Sequence, residues 1–469
     1  MSRTAIIWFR RDFRLHDNPA LVAAMADADQ VIPVYLHAPD EEAPWVPGEA
    51  SNWWQHHSLK ALGDDIAQRG GQLVIRKSTD SLAALRALIA ETGADSLHWN
   101  RLYEPAIRAR DEAIKRELKA DGVTVKSHNS ALLFEPWTLQ TQSNQPYRVF
   151  SPFWRNGEPQ LRHARNPTAI PSGGWGGKGM DSLPLAALKL LPTIAWDGGF
   201  KTTWTPGEAG ALAQLDAFAE GPVNRYHDRR DLPAVPGTSA LSPHLHFGEI
   251  SPQQALAALK SRGAVSAQAQ HFIRELGWRE FAHHLLYHYP ETPHQALYQD
   301  KFARFPWRKP DDYADDLRAW QQGKTGIPIV DAGMRQLWAT GWMHNRVRMI
   351  VASLLTKHLL IPWQEGARWF WDTLVDASLA SNTLGWQWAS GCGADAAPYF
   401  RVFNPQLQSE KFDTEGEYLQ RWVPEIRDLP LKAQHAPWTA AAPPSNYAPI
   451  VDLKAGRERA LAAYATIKG

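Results

Sequence analysis

The chain has 469 residues, 44% of them hydrophobic and 21% charged, a mix that buries a large core and has room for two or three domains. Fifty basic against 49 acidic residues give a formal charge of +1, so no global field steers a polyanion and any nucleic-acid contact must use a local patch. The single cysteine, Cys392, excludes an intramolecular disulfide and a cysteine-based metal cluster, and fits a reducing cytoplasm.

The first 130 or so residues alternate in period. Short runs rich in β-branched or aromatic residues at 4–9, 30–37, 72–77, 96–100 and 122–126 predict strands, and the stretches 18–27, 49–70, 80–92 and 105–121 predict helices between them. Strands alternating with helices predict parallel βαβ units, an α/β domain with a doubly wound sheet covered on both faces. Between 131 and 205 the periodicity fails. Pro136, Pro146, Pro152, Pro159, Pro167, Pro171, Pro184 and Pro192, with the glycine-rich run SGGWGGKGM at 172–180, predict a connector wrapped over the surface. From 206 onward apolar residues recur at three- and four-residue spacing, predicting helices at 208–219, 252–262, 268–289, 311–321, 329–340, 343–360 and 364–373. The expected organisation is an α/β domain over 1–130, a connector over 131–205 and an all-α domain over 206–469. No stretch approaches about 18 consecutive apolar residues, so no membrane span is expected. The N-terminal apolar run is too brief to read as a signal peptide.

Tryptophan is abundant, at 22 residues, and ten of these lie between Trp278 and Trp388. Large rings packing a helical core explain such a cluster, and so do rings that stack on a planar cofactor or pass electrons. The neighbouring residues decide between them. Thr238, Ser239 and Ser242, in the run GTSALS at 237–242, bring hydroxyls to a helix start, which suits an anion but equally an ordinary cap. Tyr226 and Arg229-Arg230 lie just upstream. In FIRELGWREF at 272–281, Glu275, Trp278 and Arg279 share one helix face, either as a polar-aromatic wall or as a Glu275–Arg279 ion pair beside a buried indole. In GWMHNRVRM at 341–349, an amide and an arginine stand among Trp342 and Met349, and burying them is costly without a ligand. Asp376, Ser378 and Asn382 follow in a turn-like, polar segment that ends in Trp386 and Trp388. No metal-ligand set is present: His56-His57 and His283-His284 are adjacent pairs that cannot face one ion from a helix.

Taken together, the blocks WFRRDFRLHDNPAL, GTSALS, FIRELGWREF, KTGIPIVDAGMRQLWATGWMHNRVRM, NTLGWQW and DAAPYFRVFNP, in this order, resemble the photolyase/cryptochrome family over essentially the whole chain, most nearly its bacterial class I cyclobutane pyrimidine dimer photolyases. The resemblance implies a Rossmann-like antenna domain and a helical FAD domain. It implies that Tyr226, Thr238, Ser239, Leu241 and Ser242 contact the FAD phosphates and ribitol. Phe272, Arg279, Trp342, Asn345, Arg348, Asp376, Ser378 and Asn382 then surround its rings, with Asn382 at the flavin N5 edge. Glu275, Trp278, Asn345, Met349 and Trp388 match the lesion cavity, with Glu275 bonded to a base carbonyl. Arg230, Arg346, Arg401 and Lys411 match DNA-backbone contacts beside Trp278, and Trp386, Trp363 and Trp307 match an electron-transfer chain.

The implied activity is light-driven repair: a flipped-out dimer stacks in the cavity, and reduced, anionic FAD supplies the electron that splits it. The partner is UV-damaged DNA, with no membrane and no obligate protein partner, and the protein is expected to be a cytoplasmic monomer. A cryptochrome-like photoreceptor without repair is the alternative, against which Asn382 and the intact lesion cavity argue. An unrelated nucleotide-binding α/β enzyme would account for residues 1–130 alone. Asn345 and Met349 stand where (6-4) photolyases have histidine. Three departures stand out: Ser378 replaces a second acid, Phe272 replaces a frequent tryptophan, and Ala106-Ile107 and Pro293-His294 replace the polar pairs of folate-binding relatives. Folate is therefore disfavoured as antenna, leaving a deazaflavin, another chromophore or none.

Overall fold

The computed structural model describes residues 3–262, 266–296, 300–399, 401–444 and 447–468. Phe400, inside the DAAPYFRVFNP block, lies outside the described residues.

Strands β1 (Thr4–Phe9), β2 (Gln30–His37), β3 (Val74–Lys77), β4 (Ser96–Asn100) and β5 (Thr124–His128) form one parallel sheet in the order β3-β2-β1-β4-β5. Ile6 of the central strand pairs with Ile32 on one side and Leu97 on the other. Alternate residues of β1 enter different cores. Ala5, Ile7 and Phe9 pack with α1 (Pro19–Asp27) and α2 (Glu49–Gln68), while Ile6 and Trp8 pack with α3 (Ser81–Thr92) and α4 (Pro105–Ala120). Burial on both faces is why the strand reads as a continuous apolar run. Two strands begin later than expected. Gln72 donates its N–H to Gly176 of the connector rather than to the ladder, and β5 runs on through Ser127 and His128, which pair with Trp99 and Asn100.

The 131–205 stretch does not stay on the surface. At its glycine-rich end, Val31 donates to Gly174 O and accepts from Gly176 N, both at 2.8 Å, so the chain lies against the start of β2. A side chain at Gly174 would stand 2.2 Å from Asp29 O, which makes glycine obligatory for this approach. Further upstream, α5 (Phe150–Gly157) buries Phe150, Phe153 and Trp154 in the core of the helical half. Their spacing is helical but spans only two turns, too short to register as a pattern.

The helical half contains α6 (Glu208–Glu220), α7 (Pro252–Lys260), α8 (Ala267–His288), α9 (Pro310–Gln321), α10 (Pro328–Thr340), α11 (Asn345–Ser353), α12 (Trp363–Thr373) and α13 (Leu379–Ser390), with shorter turns between them. The helix expected over 343–360 is divided: His344 is the N-cap of α11, and a π-helical turn, Leu354–His358, follows it. The segment expected to be turn-like from 376 to 388 is largely helical. Ser378 caps α13 and Gly391 closes it with φ +82°. Its buried face is Leu379, Ala380, Thr383, Trp386 and Gln387, helically spaced but partly polar, so the apolar period is masked. The two halves are joined by Glu249, fully buried, which accepts from Trp54 Nε1 at 2.9 Å, Ser58 Oγ at 2.6 Å and Gly207 N at 2.6 Å. No described helix is long and apolar enough to cross a membrane.

Candidate cofactor and nucleic-acid site

Three segments far apart in sequence converge on Asp376. Its Oδ2 accepts from Ser242 Oγ at 2.6 Å and from the Arg348 guanidinium at 2.8 Å. Arg348 Nε donates to Met343 O at 2.8 Å, which fixes the guanidinium plane, and Trp342 Nε1 donates to Ser242 Oγ at 3.4 Å. Asp376 Oδ1 is buried and has no hydrogen-bond partner among the described residues. A buried acceptor without a donor is costly, so this oxygen is suited to an N–H or O–H group of a ligand. The residues present therefore fit a polar heterocycle bearing such donors.

Around this centre the GTSALS segment folds tightly. Gly237 lies against Arg229, where a Cβ would stand 2.6 Å from the carbonyl oxygen, and Ala240 takes φ +51°. Ser239 Oγ accepts from Leu241 N at 3.3 Å, Leu241 is fully buried, and Thr238 is half-buried nearby in the chain. Tyr226 is buried edge-on to Phe272, with ring centroids 5.5 Å apart, so the phenylalanine keeps the aromatic packing expected of a tryptophan there. Burial raises the Tyr226 hydroxyl pKa. Asn382 donates Nδ2 to Ala367 O at 2.9 Å, which leaves its carbonyl oxygen for another partner. Ser378, in place of the usual acid, accepts from Ser381 N at 3.5 Å as the cap of α13.

Helix α8 carries the second cluster. Glu275 pairs with Arg230 rather than with Arg279, so the i,i+4 ion pair does not form. Arg279 donates to Ala131 O at 2.6 Å and Leu245 O at 3.4 Å, tying the connector to the helical half. As a carboxylate held by a guanidinium, Glu275 is an acceptor. It suits a base N–H, whereas the expected bond to a base carbonyl would require the carboxyl to bring a proton. Trp278 stacks on Phe150, with centroids 3.8 Å apart and planes at 9°. Asn345, exposed at the start of α11, points Nδ2 at Met349 Sδ across 3.9 Å. Trp388 is half-buried near Phe403.

Of the expected backbone contacts, Arg346 is bound to Asp231 at 2.9 Å and lies over the Phe412 ring, and Asp231 also approaches Arg230 at 4.0 Å. Arg401 and Lys411 are exposed. Arg401 O accepts from the buried Lys357 at 3.1 Å, and burial lowers that ammonium to a pKa of about 8. His344 is buried, and burial lowers its pKa to about 4, with Arg346, Arg348 and Arg230 adding to the shift and Asp231 opposing it. Asp231, His344 and Phe150 are not among the residues expected at the site. The first two stood inside or beside blocks already singled out.

Trp386 is buried against Phe370 at 5.0 Å and Trp320 at 6.1 Å, Trp363 is buried at the start of α12, and Trp307 packs on Phe305 at 4.4 Å. The three expected relay rings do not stack on one another. Two cavities lie towards the α/β half. One, at the carboxyl ends of β1 and β2, is lined by Arg10, Arg11, Tyr35, Glu42 and Arg110 among others. The other brings Ala106-Ile107 and Pro293-His294 together with Trp45 and Trp371.

Two family models match the chain: DNA photolyase over residues 5–172 and FAD binding domain of DNA photolyase over 272–466. The chain is 49% identical to the deoxyribodipyrimidine photo-lyase of Agrobacterium fabrum, over 99% of this chain and 98% of that one. It is 37% identical to cryptochrome-2 of Arabidopsis thaliana, over 98% of this chain and 78% of the other. Among solved structures, a bacterial class III photolyase from Agrobacterium tumefaciens superposes with a TM-score of 0.95 at 48% identity, covering 100% of this chain and 98% of that one. The likeness expected from the sequence is to class I. The comparisons support the family, and this solved relative is of class III.

Proposed function

Since the chain belongs to the DNA photolyase/cryptochrome family, we propose that it is a deoxyribodipyrimidine photo-lyase, a light-driven enzyme that splits cyclobutane pyrimidine dimers in UV-damaged DNA. The observation that carries this reading is the convergence of the 237–242, 342–348 and 376–382 segments on Asp376, whose second oxygen is left for a ligand. FAD, when bound, supplies light-driven one-electron chemistry. Tyr226, Thr238, Ser239, Leu241 and Ser242 would hold its chain, and Phe272, Arg279, Trp342, Asn345, Arg348, Asp376, Ser378 and Asn382 its rings.

The remaining residues bind and orient. Trp278 and Trp388 give an extruded dinucleotide two apolar walls, and a poorly stacked lesion costs less to extrude than a sound base pair. Glu275, aimed by Arg230, accepts from a base N–H, and Asn345 and Met349 close the floor. Arg230, Arg346, Arg401 and Lys411 supply the local positive patch that a +1 chain needs. The neutral Asn382 amide, whose Nδ2 donates to Ala367 O, would have its carbonyl oxygen to offer a bound flavin, and carries no charge that would disfavour a reduced, anionic ring. Trp386, Trp363 and Trp307 serve reduction of the cofactor rather than repair. We place the division of labour at residues 1–130, 131–205 and 206–469, and the protein in the cytoplasm as a monomer without an obligate protein partner. Ala106-Ile107 and Pro293-His294, which stand where the resemblance leads one to expect polar pairs, speak against folate held as in folate-binding relatives. The absorption spectrum of the purified protein decides which chromophore is present.

The likeness to cryptochrome-2 favours one other reading, a photoreceptor with the same cofactor and no repair. Blue light on reduced protein mixed with a dimer-containing oligonucleotide separates them, since only a photolyase restores the sequence.

A further inference from the structure

Phe150 opens α5 in the stretch between the two halves and is 0% exposed. Its ring makes the shortest centroid separation of any aromatic pair among the described residues, 3.8 Å from Trp278 at 9°. The seat is prepared by sequence. Trp154, one turn further on, packs where Gly277 has no side chain, and a Cβ there would stand 2.3 Å from its ring. Phe281 meets Phe150 edge-on at 5.9 Å, and the Arg274 guanidinium lies 5.0 Å from its centroid. The Phe150 N–H donates to Asp395 Oδ2 at 3.2 Å, in the loop that follows Trp388 and leads to Arg401. Phe150 therefore backs the Trp278 wall through its ring and, through its backbone, holds the loop whose Ala397 N–H donates to Trp388 O at 3.3 Å.

We infer that Phe150 is a positioning residue for lesion binding: its stack on Trp278 holds the indole plane parallel to the incoming pyrimidine, so the connector sets the aim of the wall. Phe150 is buried and does not touch DNA itself. A half-buried indole without this backing has several rotamers open to it, and ordering it would fall to the bound lesion. Stacked, it is ordered beforehand and leaves one ring face free. The inference rests on the reading of Trp278 as a cavity wall.

The test measures the affinity of the FAD-loaded protein for a dimer-containing oligonucleotide relative to the undamaged one. Phe150→Leu is expected to lower this ratio about threefold to tenfold, the range that aromatic pairing supports, with FAD content and photoreduction unchanged. Phe150→Tyr keeps the ring and keeps the ratio. In a Trp278→Ala background, Phe150→Leu adds no further loss, because no indole is left to aim; a residue that merely stabilised the fold would give additive losses. If Trp278→Ala lowers the ratio but Phe150→Leu does not, or if the two losses add, the inference is overturned while the cavity reading stands. If Trp278→Ala leaves the ratio unchanged, the cavity reading fails and takes the inference with it. Should Phe150→Leu not fold, Phe150→Met, of similar volume and without a ring, is judged by the same outcomes.

Discussion

Ser242 donates its hydroxyl hydrogen to Asp376 across 2.6 Å, joining residues 134 apart in sequence at the point where Arg348 also arrives. The bond makes the proposed cofactor site a product of the fold of the whole helical half, because none of the three segments holds Asp376 alone. Several variants test this arrangement and its surroundings.

Asp376→Asn removes the charge that Arg348 faces and leaves a guanidinium without its counter-ion. Hydrogen bonds to charged groups contribute about 1.5–3 kcal/mol, so FAD affinity should fall about 10- to 100-fold. Flavin absorbance retained after exhaustive dialysis measures it. Full retention would show that Asp376 is not part of the cofactor site.

Glu275→Ala removes the acceptor on α8 and releases Arg230 from its ion pair. Binding of dimer-containing DNA should weaken by about tenfold, the loss of one charged hydrogen bond, with FAD retained. Loss of flavin along with DNA affinity would place Glu275 at the cofactor instead.

Trp363→Phe preserves most of the packing at a buried position while removing an oxidisable indole. Photoreduction of oxidised FAD should slow strongly, while repair by chemically reduced protein stays close to that of the parent. Equal loss of both activities would contradict the relay assignment of Trp386, Trp363 and Trp307.

Gly366→Ala would ordinarily stabilise a helix interior by about 1 kcal/mol. Here the added Cβ would stand 2.0 Å from Cη2 of Trp386, so the sign reverses. Overpacking of this kind costs about 1–3 kcal/mol, and thermal unfolding should show a lowered Tm. A raised Tm would mean that Trp386 does not seat against α12 as described.

Glu280 is buried and accepts from Leu133 N at 2.8 Å and Phe134 N at 3.1 Å, and burial raises its carboxyl to a pKa of about 7 from the usual 4.5. Between these values the folded chain keeps a proton that the unfolded chain releases. Its contribution to stability is therefore full below pH 4.5 and lost as pH rises through 7. Glu280→Gln should flatten the stability profile across pH 4.5–7 in denaturant titrations, and an unchanged slope would contradict this.

Much of this was legible in the sequence because local chemistry and position agree. The strands 4–9, 30–37 and 96–100 occur as read, since continuous β-branched and aromatic runs have few other places to go. Glu275, Trp278, Asn345, Arg348, Asp376 and Asn382 stand in conspicuous blocks, and two of the segments carrying them, joined by Ser242 from a third, meet at Asp376. What sequence could not give was the pairing. Glu275 has a partner four residues along its helix and another 45 residues upstream, and only the fold selects Arg230. Helix α13 was hidden because its buried face mixes Thr383 and Gln387 with apolar residues. Phe150 was hidden because eight prolines around it suggested a surface path.

Repair by light is open to direct measurement. Purified protein, loaded with FAD and reduced, is mixed with an oligonucleotide carrying one cyclobutane thymine dimer, and the dimer is quantified with blue light and in the dark. Light-dependent loss of the dimer with recovery of intact thymines is the predicted result. Bound, reduced flavin with no loss of dimer under light would contradict the account and leave the photoreceptor reading in its place.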